Sequence, residues 1–277
     1  MENVIAARLS VLGHAQRLVL FRLLMRRYPD HVAAGELARA LDLKASTLSS
    51  YLASMMQAGL VRQMRSGTSL RYAINMAVAR ETFDYLILDC CRGRPDACSP
   101  VSIAARRQQD RKFSVLFICT GNSVRSIFAE AILRAEAGTR FEAFSAGIAP
   151  KPNLDPIALD VLGAMNVDAT GLKTRHVAEF QVRGARRLDF IFTLCDHAAN
   201  QECPAWTGTP ISAHWGIPDP PGAQTGNGNA HTAYRQAFDQ LRSRILDFIA
   251  LPLETMEPLS IQQAADRIGC AETPTAA

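Results

Sequence analysis

No run of about twenty apolar residues occurs anywhere in this 277-residue chain, so a membrane-spanning helix is not expected. The N-terminus also lacks the basic-then-apolar pattern of a secretion signal. Together these absences set the expectation of a soluble, cytoplasmic protein with no membrane partner. An even, regularly spaced set of cysteines is missing too. The seven stand at 90, 91, 98, 119, 195, 203 and 270, odd in number and clustered. Without a secretion signal, that pattern argues for thiol chemistry and against a disulfide scaffold. There is no internal repeat, and the length suits one large domain or two ordinary ones. Charge is unevenly spread within the overall +4: residues 1–98 carry +5, 99–112 carry +3 and the remainder −4. A basic front and a mildly acidic back imply two domains with different partners, the first of them nucleic acid.

What the chain does have is clearest at Ser114-Val115-Leu116-Phe117-Ile118-Cys119-Thr120-Gly121-Asn122-Ser123-Val124-Arg125-Ser126. The apolar run ending in Cys119 reads as a buried strand of a parallel sheet, residues 120–124 as a tight loop, and Ile127 to about Ala137 as a helix. In such a unit the backbone N–H groups of Thr120, Gly121, Asn122, Ser123 and Val124 point inward and bind a tetrahedral oxyanion, helped by the helix dipole. The same field is expected to lower the pKa of Cys119 and release its thiolate as a nucleophile. Arg125 would hold two anion oxygens through its planar fork. Ser126 would donate a hydrogen bond that stabilises the thiolate. Spacing of cysteine and arginine alone is a weak signal; the strand before, the loop between and the helix after make it specific. The chemistry implied is thiolate attack on a phosphate-like anion.

Residues from about 113 to 255 resemble the low-molecular-weight tyrosine phosphatases and, more closely, the arsenate reductases built on that fold. The resemblance is carried by the Cys119–Ser126 loop, Ser145-Ala146-Gly147, Thr193-Leu194-Cys195, Cys203-Pro204, and His214-Trp215-Gly216 through Asp219-Pro220. It implies an α/β fold, a doubly wound parallel sheet with helices on both faces. Candidate strands are 114–118, 140–144, 188–194 and 209–213, with the anion loop at the carboxyl end of the first, where open α/β sheets place ligands. It further implies Asp219 as the acid that protonates the leaving oxygen. Cys195 closes a candidate strand on the same sheet edge as Cys119, and Cys203 follows eight residues on. This placement resembles the resolving pair of thioredoxin-coupled reductases, with an intervening segment one residue longer than that pattern. Glutathione with glutaredoxin is the other donor left open; no tightly bound cofactor is expected.

Phosphatase and reductase begin alike and then diverge. A phosphatase hydrolyses its cysteinyl-phosphate with water and needs no other thiol. A reductase supplies two electrons, so a second sulfur attacks Cys119, arsenite leaves and a disulfide remains. Pro221-Gly222-Ala223 after the acid offers no aromatic wall for a phenyl ring, which fits small inorganic arsenate better than phosphotyrosine.

The front of the chain follows another pattern. His14 to Arg27 carries Leu18, Phe21, Leu24 and Met25 at helical spacing, read as a buried face. Glu36–Leu41 and Ser46–Ala58 form two short helices about the turn Asp42-Leu43-Lys44, a helix-turn-helix closed by Gly59 as C-cap. Val61–Met64 and Leu70–Ile74 read as a hairpin wing, and Met76, Ala79, Phe83, Leu86 and Ile87 as a closing helix. Residues 2–98 resemble the ArsR family of winged-helix repressors through Leu12–Leu18, Glu36-Leu37-Ala38, Ser46-Thr47-Leu48-Ser49 and Ala58–Val61. That implies a homodimer on double-stranded operator DNA. Ser46, Thr47, Ser49 and Ser50 would face the bases, and Arg65 and Arg71 of the wing would reach phosphates.

Cys90, Cys91 and Cys98 close this domain. Three sulfurs suit the trigonal thiolate ligation that trivalent arsenic prefers, whereas zinc wants a fourth ligand and no Cys-x-x-Cys pair or nearby histidine supplies one. The Cys-Val-Cys-type site common in that family is absent, and the trio resembles a variant site of some members. The expected organisation is 1–98 DNA-binding, 99–112 linker, 113–255 phosphatase-like and 256–277 tail. The function expected is an arsenate reductase fused to an arsenite-responsive repressor. The alternatives are a phosphatase fused to a regulator and a catalytically silent oxyanion sensor.

Overall fold

The structure, a computed structural model, describes residues 1–90, 111–182, 184–201, 206, 210–220 and 227–270. The chain forms two compact units, Met1–Ser102 and Ile103–Ala277. The break falls within the expected linker 99–112, most of which lies outside the described residues.

The first unit opens with α1 (Glu2–Leu12) and α2 (Ala15–Arg26). In α2 the buried face is Leu20, Phe21, Leu23 and Leu24, while Leu18 is largely exposed. The expected face is corrected here: at about 100° per residue, Leu18 lies on the far side of the helix from the middle of that stripe. Next come β1 (Val32–Ala33), α3 (Ala34–Ala40) and α4 (Ala45–Gln57). The tight turn between the two helices places Asp42 at φ +48°. Gly59 follows α4 at φ +76°, the left-handed conformation that ends helices and that a side chain resists. β2 (Val61–Ser66) and β3 (Ser69–Ile74) form the expected hairpin, and β1 pairs with β3, giving the antiparallel order β1-β3-β2. α5 (Met76–Asp84) follows, and the chain continues in π-helical winding over Tyr85–Cys90. Leu20, Leu24, Leu37, Leu48, Leu52 and Met55 meet in one core, which fixes the angle between α3 and α4. Buried Arg8 of α1 reaches Glu81 of α5 at 2.8 Å and ties the first helix to the last.

The second unit is a four-stranded parallel sheet of β4 (Phe113–Cys119), β5 (Phe141–Gly147), β6 (Phe190–Thr193) and β7 (Ile211–His214), ordered β5-β4-β6-β7. Its helices are α6 (Arg125–Ala137), α7 (Pro156–Ala164), α8 (Asp196–Asn200), α9 (Asn227–Ile249) and α10 (Pro258–Cys270). β4 is central and apolar without alternation: Val115, Leu116, Phe117 and Ile118 are all buried, as in a strand covered on both faces. The chain leaves β4 for β5 on one side and returns to β6 on the other. The carboxyl end of β4 is therefore the switch point where such sheets open a crevice. Trp215 and Phe192 stack at 3.8 Å, with Phe117 and Phe248 around them, and close the core beneath that crevice.

Residues 258–270 were expected within a tail and instead form α10, with Ile261, Ala264, Ala265 and Ile268 buried. Trp215 Nε1 donates to the Ala265 carbonyl at 2.9 Å, which seats the helix on the core. Two of the four buried positions are alanines, so the apolar stripe is faint in the sequence. Residues 271–277 lie outside the described ones. Among the described residues no single helix is long and apolar enough to cross a membrane.

Candidate active site

Cys119 ends β4 and the loop to α6 curls around its sulfur. The loop holds its shape because its outward carbonyls are tied down. Ile148 N–H donates to the Cys119 carbonyl, Ala149 to Thr120, Lys151 to Gly121 and Asp155 to Ser123, at 2.8 to 3.2 Å. With those carbonyls held outward, the amides of the loop are directed inward. Gly147 permits this contact, since a Cβ there would lie 2.6 Å from the Thr120 carbonyl. Asn122 sits at φ +44°, a left-handed bend that asparagine tolerates better than most side chains.

The Cys119 sulfur is buried. It accepts the Asn122 backbone N–H at 3.1 Å and lies 2.9 Å from Ser126 Oγ. Burial pushes its thiol up from the ordinary value, and neighbouring Cys195 adds to that rise. The hydrogen bonds from Ser126 and Asn122 pull it back down, but burial outweighs them. The expected lowering is thus corrected: the sulfur stands in a low-dielectric site whose desolvation cost exceeds these bonds.

Asn122 is the hub of a buried polar chain. Its side-chain amide donates to Ser126 Oγ at 2.9 Å and Ser145 Oγ at 2.8 Å, and its carbonyl accepts Arg175 N–H at 2.6 Å. Ser145 in turn donates to Glu130, a fully buried carboxylate on α6 that also faces Arg134 and Arg175. Sequence reading took Asn122 only as a source of a backbone amide and missed Glu130 and Arg175. The available signal was an acid inside the otherwise apolar stretch Ile127–Leu133.

Arg125 is buried, with one guanidinium nitrogen donating to the Ile217 carbonyl at 2.9 Å and another 3.0 Å from Asp219 Oδ1. The structure therefore brings the expected acid to the expected arginine, with the Asp219 side chain three-quarters exposed at the mouth. Tyr234 of α9 donates to Asp155 at 3.0 Å, and burial beside that carboxylate pushes its phenol up to about 12. Asp155 also caps α7 through Ile157 N–H, so this pair steadies the segment that grips the loop.

Cys195 is buried next to the same loop. The parallel register sets Ile118 opposite Thr193, which carries Cys195 to the level of Thr120, and Thr120 Oγ1 lies 3.3 Å from Cys195 Sγ. Cys203 and Pro221-Gly222-Ala223 lie outside the described residues. In the first unit Ser46, Ser49 and Ser50 are exposed on α4 and Thr47 is half-buried; Arg65 and Arg71 are exposed on the hairpin. Arg71 donates to the His31 carbonyl at 3.2 Å. Cys90 is exposed at the end of the π-helical segment, while Cys91 and Cys98 lie outside the described residues.

Residues 114–257 match the model of the family described as low molecular weight phosphotyrosine protein phosphatase. Residues 18–65 match the IclR helix-turn-helix domain, so the ArsR resemblance rests only on the residues quoted for it. An arsenate reductase of Bacillus anthracis (strain CDC 684 / NRRL 3495) is 33% identical over 139 residues, half of this chain and 96% of that protein. One from Bacillus cereus (strain 03BB102) is 30% identical over the same extent. Among solved structures, a Corynebacterium glutamicum thioredoxin-dependent arsenate reductase aligns with 83% of this chain and 95% of its own, at 20% identity and a TM-score of 0.40.

Proposed function

This chain belongs to the low molecular weight phosphotyrosine protein phosphatase family, and we propose on that basis that it reduces arsenate to arsenite and couples the reaction to DNA binding. The observation that carries the reductase reading is the second buried thiol: Cys195 lies at the anion loop, 3.3 Å from Thr120 Oγ1, where a phosphatase needs no sulfur. The relatives that share about a third of their residues with this chain bear the name of that activity.

In this reading the Cys119 thiolate attacks the arsenic of arsenate, held by the loop amides and the Arg125 fork. Asp219, next to Arg125, gives a proton to the departing oxygen, which leaves as water. The Cys195 thiolate then attacks Cys119 Sγ. A sulfur–sulfur bond forms, the sulfur–arsenic bond breaks with its electron pair remaining on arsenic, and arsenite leaves as two thiols become one disulfide. Cys203, or glutathione with glutaredoxin, would take that disulfide over, and an external dithiol such as thioredoxin would restore the thiols. A single turnover without external donor tests this. Fully reduced protein should release about one arsenite per chain and lose two thiols; hydrolysis or arsenate binding alone would consume none.

The first unit carries a helix-turn-helix and thus a DNA-binding regulator. We assign it an operator bound as a dimer, contacted by Ser46, Thr47, Ser49 and Ser50 on α4, with Arg65 and Arg71 on phosphates. Arsenite bound by Cys90, Cys91 and Cys98 would release that DNA. The product of one unit would then be the effector of the other, and a protein with all three cysteines replaced by serine would hold its operator in the presence of arsenite.

A further inference from the structure

Past Leu194 the backbone ladder that orders the Cys195 segment comes to an end. Leu194 N–H still reaches the Ile118 carbonyl at 2.8 Å, and Ile217 N–H reaches the Leu194 carbonyl at 3.1 Å. Beyond that, Cys195 is the N-cap of α8, a helix of five residues, too short to hold itself. Its side chain makes no capping bond to the helix and lies against Thr120 Oγ1 instead. One buried ring reaches the segment on both sides of Cys195. His214, at the end of β7, lies with Nδ1 2.8 Å from Thr193 Oγ1 and Nε2 3.2 Å from Asp196 Oδ1. These partners stand two residues before Cys195 and one after it. The ring is itself confined: a Cβ on Gly216 would lie 2.8 Å from His214 Nε2, so a side chain there would press the ring out of its place.

We propose that His214 is a positioning residue for the resolving thiol, fixing Thr193 and Asp196 on either side of Cys195 so that its sulfur stays within reach of Cys119. The proposal rests on the reductase reading above. Its step is the second one: the Cys195 thiolate displaces arsenite from Cys119, two thiols becoming one disulfide as arsenic gains the electron pair. Binding of the oxyanion and attack by Cys119 do not use the ring.

The test compares full-length wild-type protein with His214→Phe, which keeps the volume and loses both bonds, and His214→Gln, whose amide still reaches toward Asp196. Two quantities are read: arsenite released in a single turnover, and iodoacetamide labelling of Cys119 and Cys195 with and without inorganic phosphate. Release should slow tenfold or more in H214F and recover substantially in H214Q. Cys195 should label faster in H214F, while phosphate protects Cys119 at the wild-type concentration. Wild-type release by H214F with unchanged Cys195 labelling would overturn the proposal. Loss of phosphate protection in both variants would also overturn it, since the ring would then support the whole crevice. If the wild-type protein itself makes no arsenite, the reductase reading fails, and the labelling comparison still decides whether His214 places Cys195. Should H214F fail to fold, Thr193→Val carries the same comparison with the ring in place.

Discussion

Cys119 needs a negative charge in a place that resists one. Burial holds its thiol above the ordinary value, and the opposing bonds come from Ser126 Oγ and the Asn122 amide. A hydrogen bond to a charged group is worth about 1.5–3 kcal/mol. Ser126→Ala should therefore shift the pH profile of Cys119 alkylation further upward and slow labelling at neutral pH by about tenfold or more. An unshifted profile would assign Ser126 to the helix terminus alone. The placement of Cys119, Arg125 and the loop between them was legible because each is distinctive at a fixed place between a strand and a helix. Glu130, Arg175 and Asp155 were not, because the partners that place them, Ser145, Asn122 and Tyr234, stand 15, 53 and 79 residues away and meet them only in the folded chain. The sign of the Cys119 shift was hidden for a similar reason. Hydrogen bonds to the sulfur follow from the loop motif, whereas desolvation depends on everything packed above it.

The same contrast governs whole elements. β4 and α6 announce themselves as an apolar run and a helical run on either side of the loop, and the four strands fall within a few residues of their expected places. α10 does not, since Ala264 and Ala265 supply half of its buried stripe and alanine is found as readily on surfaces. That helix carries its own pH signature. Burial raises the Asp266 carboxyl to about 6 from 3.8, against a smaller lowering by Gln262. A folded-state value above the unfolded one means that the native protein binds this proton more tightly. The associated stability is present below about pH 4 and lost as pH rises through 6. Asp266→Asn should therefore match wild type near pH 4 and exceed it above pH 6. After allowance for solvent screening of a half-exposed group, the gain is on the order of 1 kcal/mol, read as a higher midpoint in thermal or urea unfolding. Equal midpoints at both pH values would contradict it.

For the molecule as a whole, two units share one chain, and the proposed link between them is arsenic. Arsenate should release operator DNA only when reductant and Cys119 are both present, whereas arsenite should release it directly. In a gel-shift or anisotropy titration, Cys119→Ser should respond to arsenite as wild type does and ignore arsenate; a variant that still answered arsenate would sever the link. The helix-turn-helix showed through its turn and Gly59, and the basic front and mildly acidic back added only weak support for two units. The ArsR resemblance was not matched, the family model at residues 18–65 being the IclR helix-turn-helix, because small hydroxyl residues at a helix start serve caps and base contacts alike and separate such families poorly. The most direct measurement is steady-state arsenite production from arsenate by the purified protein, supplied in parallel with the thioredoxin system and with glutathione and glutaredoxin. Aryl phosphate hydrolysis and the Cys195→Ser variant would be measured alongside. Sustained turnover with one of the donors, abolished in the variant, is the predicted result. Aryl phosphate hydrolysis without arsenite, unaffected by loss of Cys195, would contradict the account and leave a phosphatase in its place.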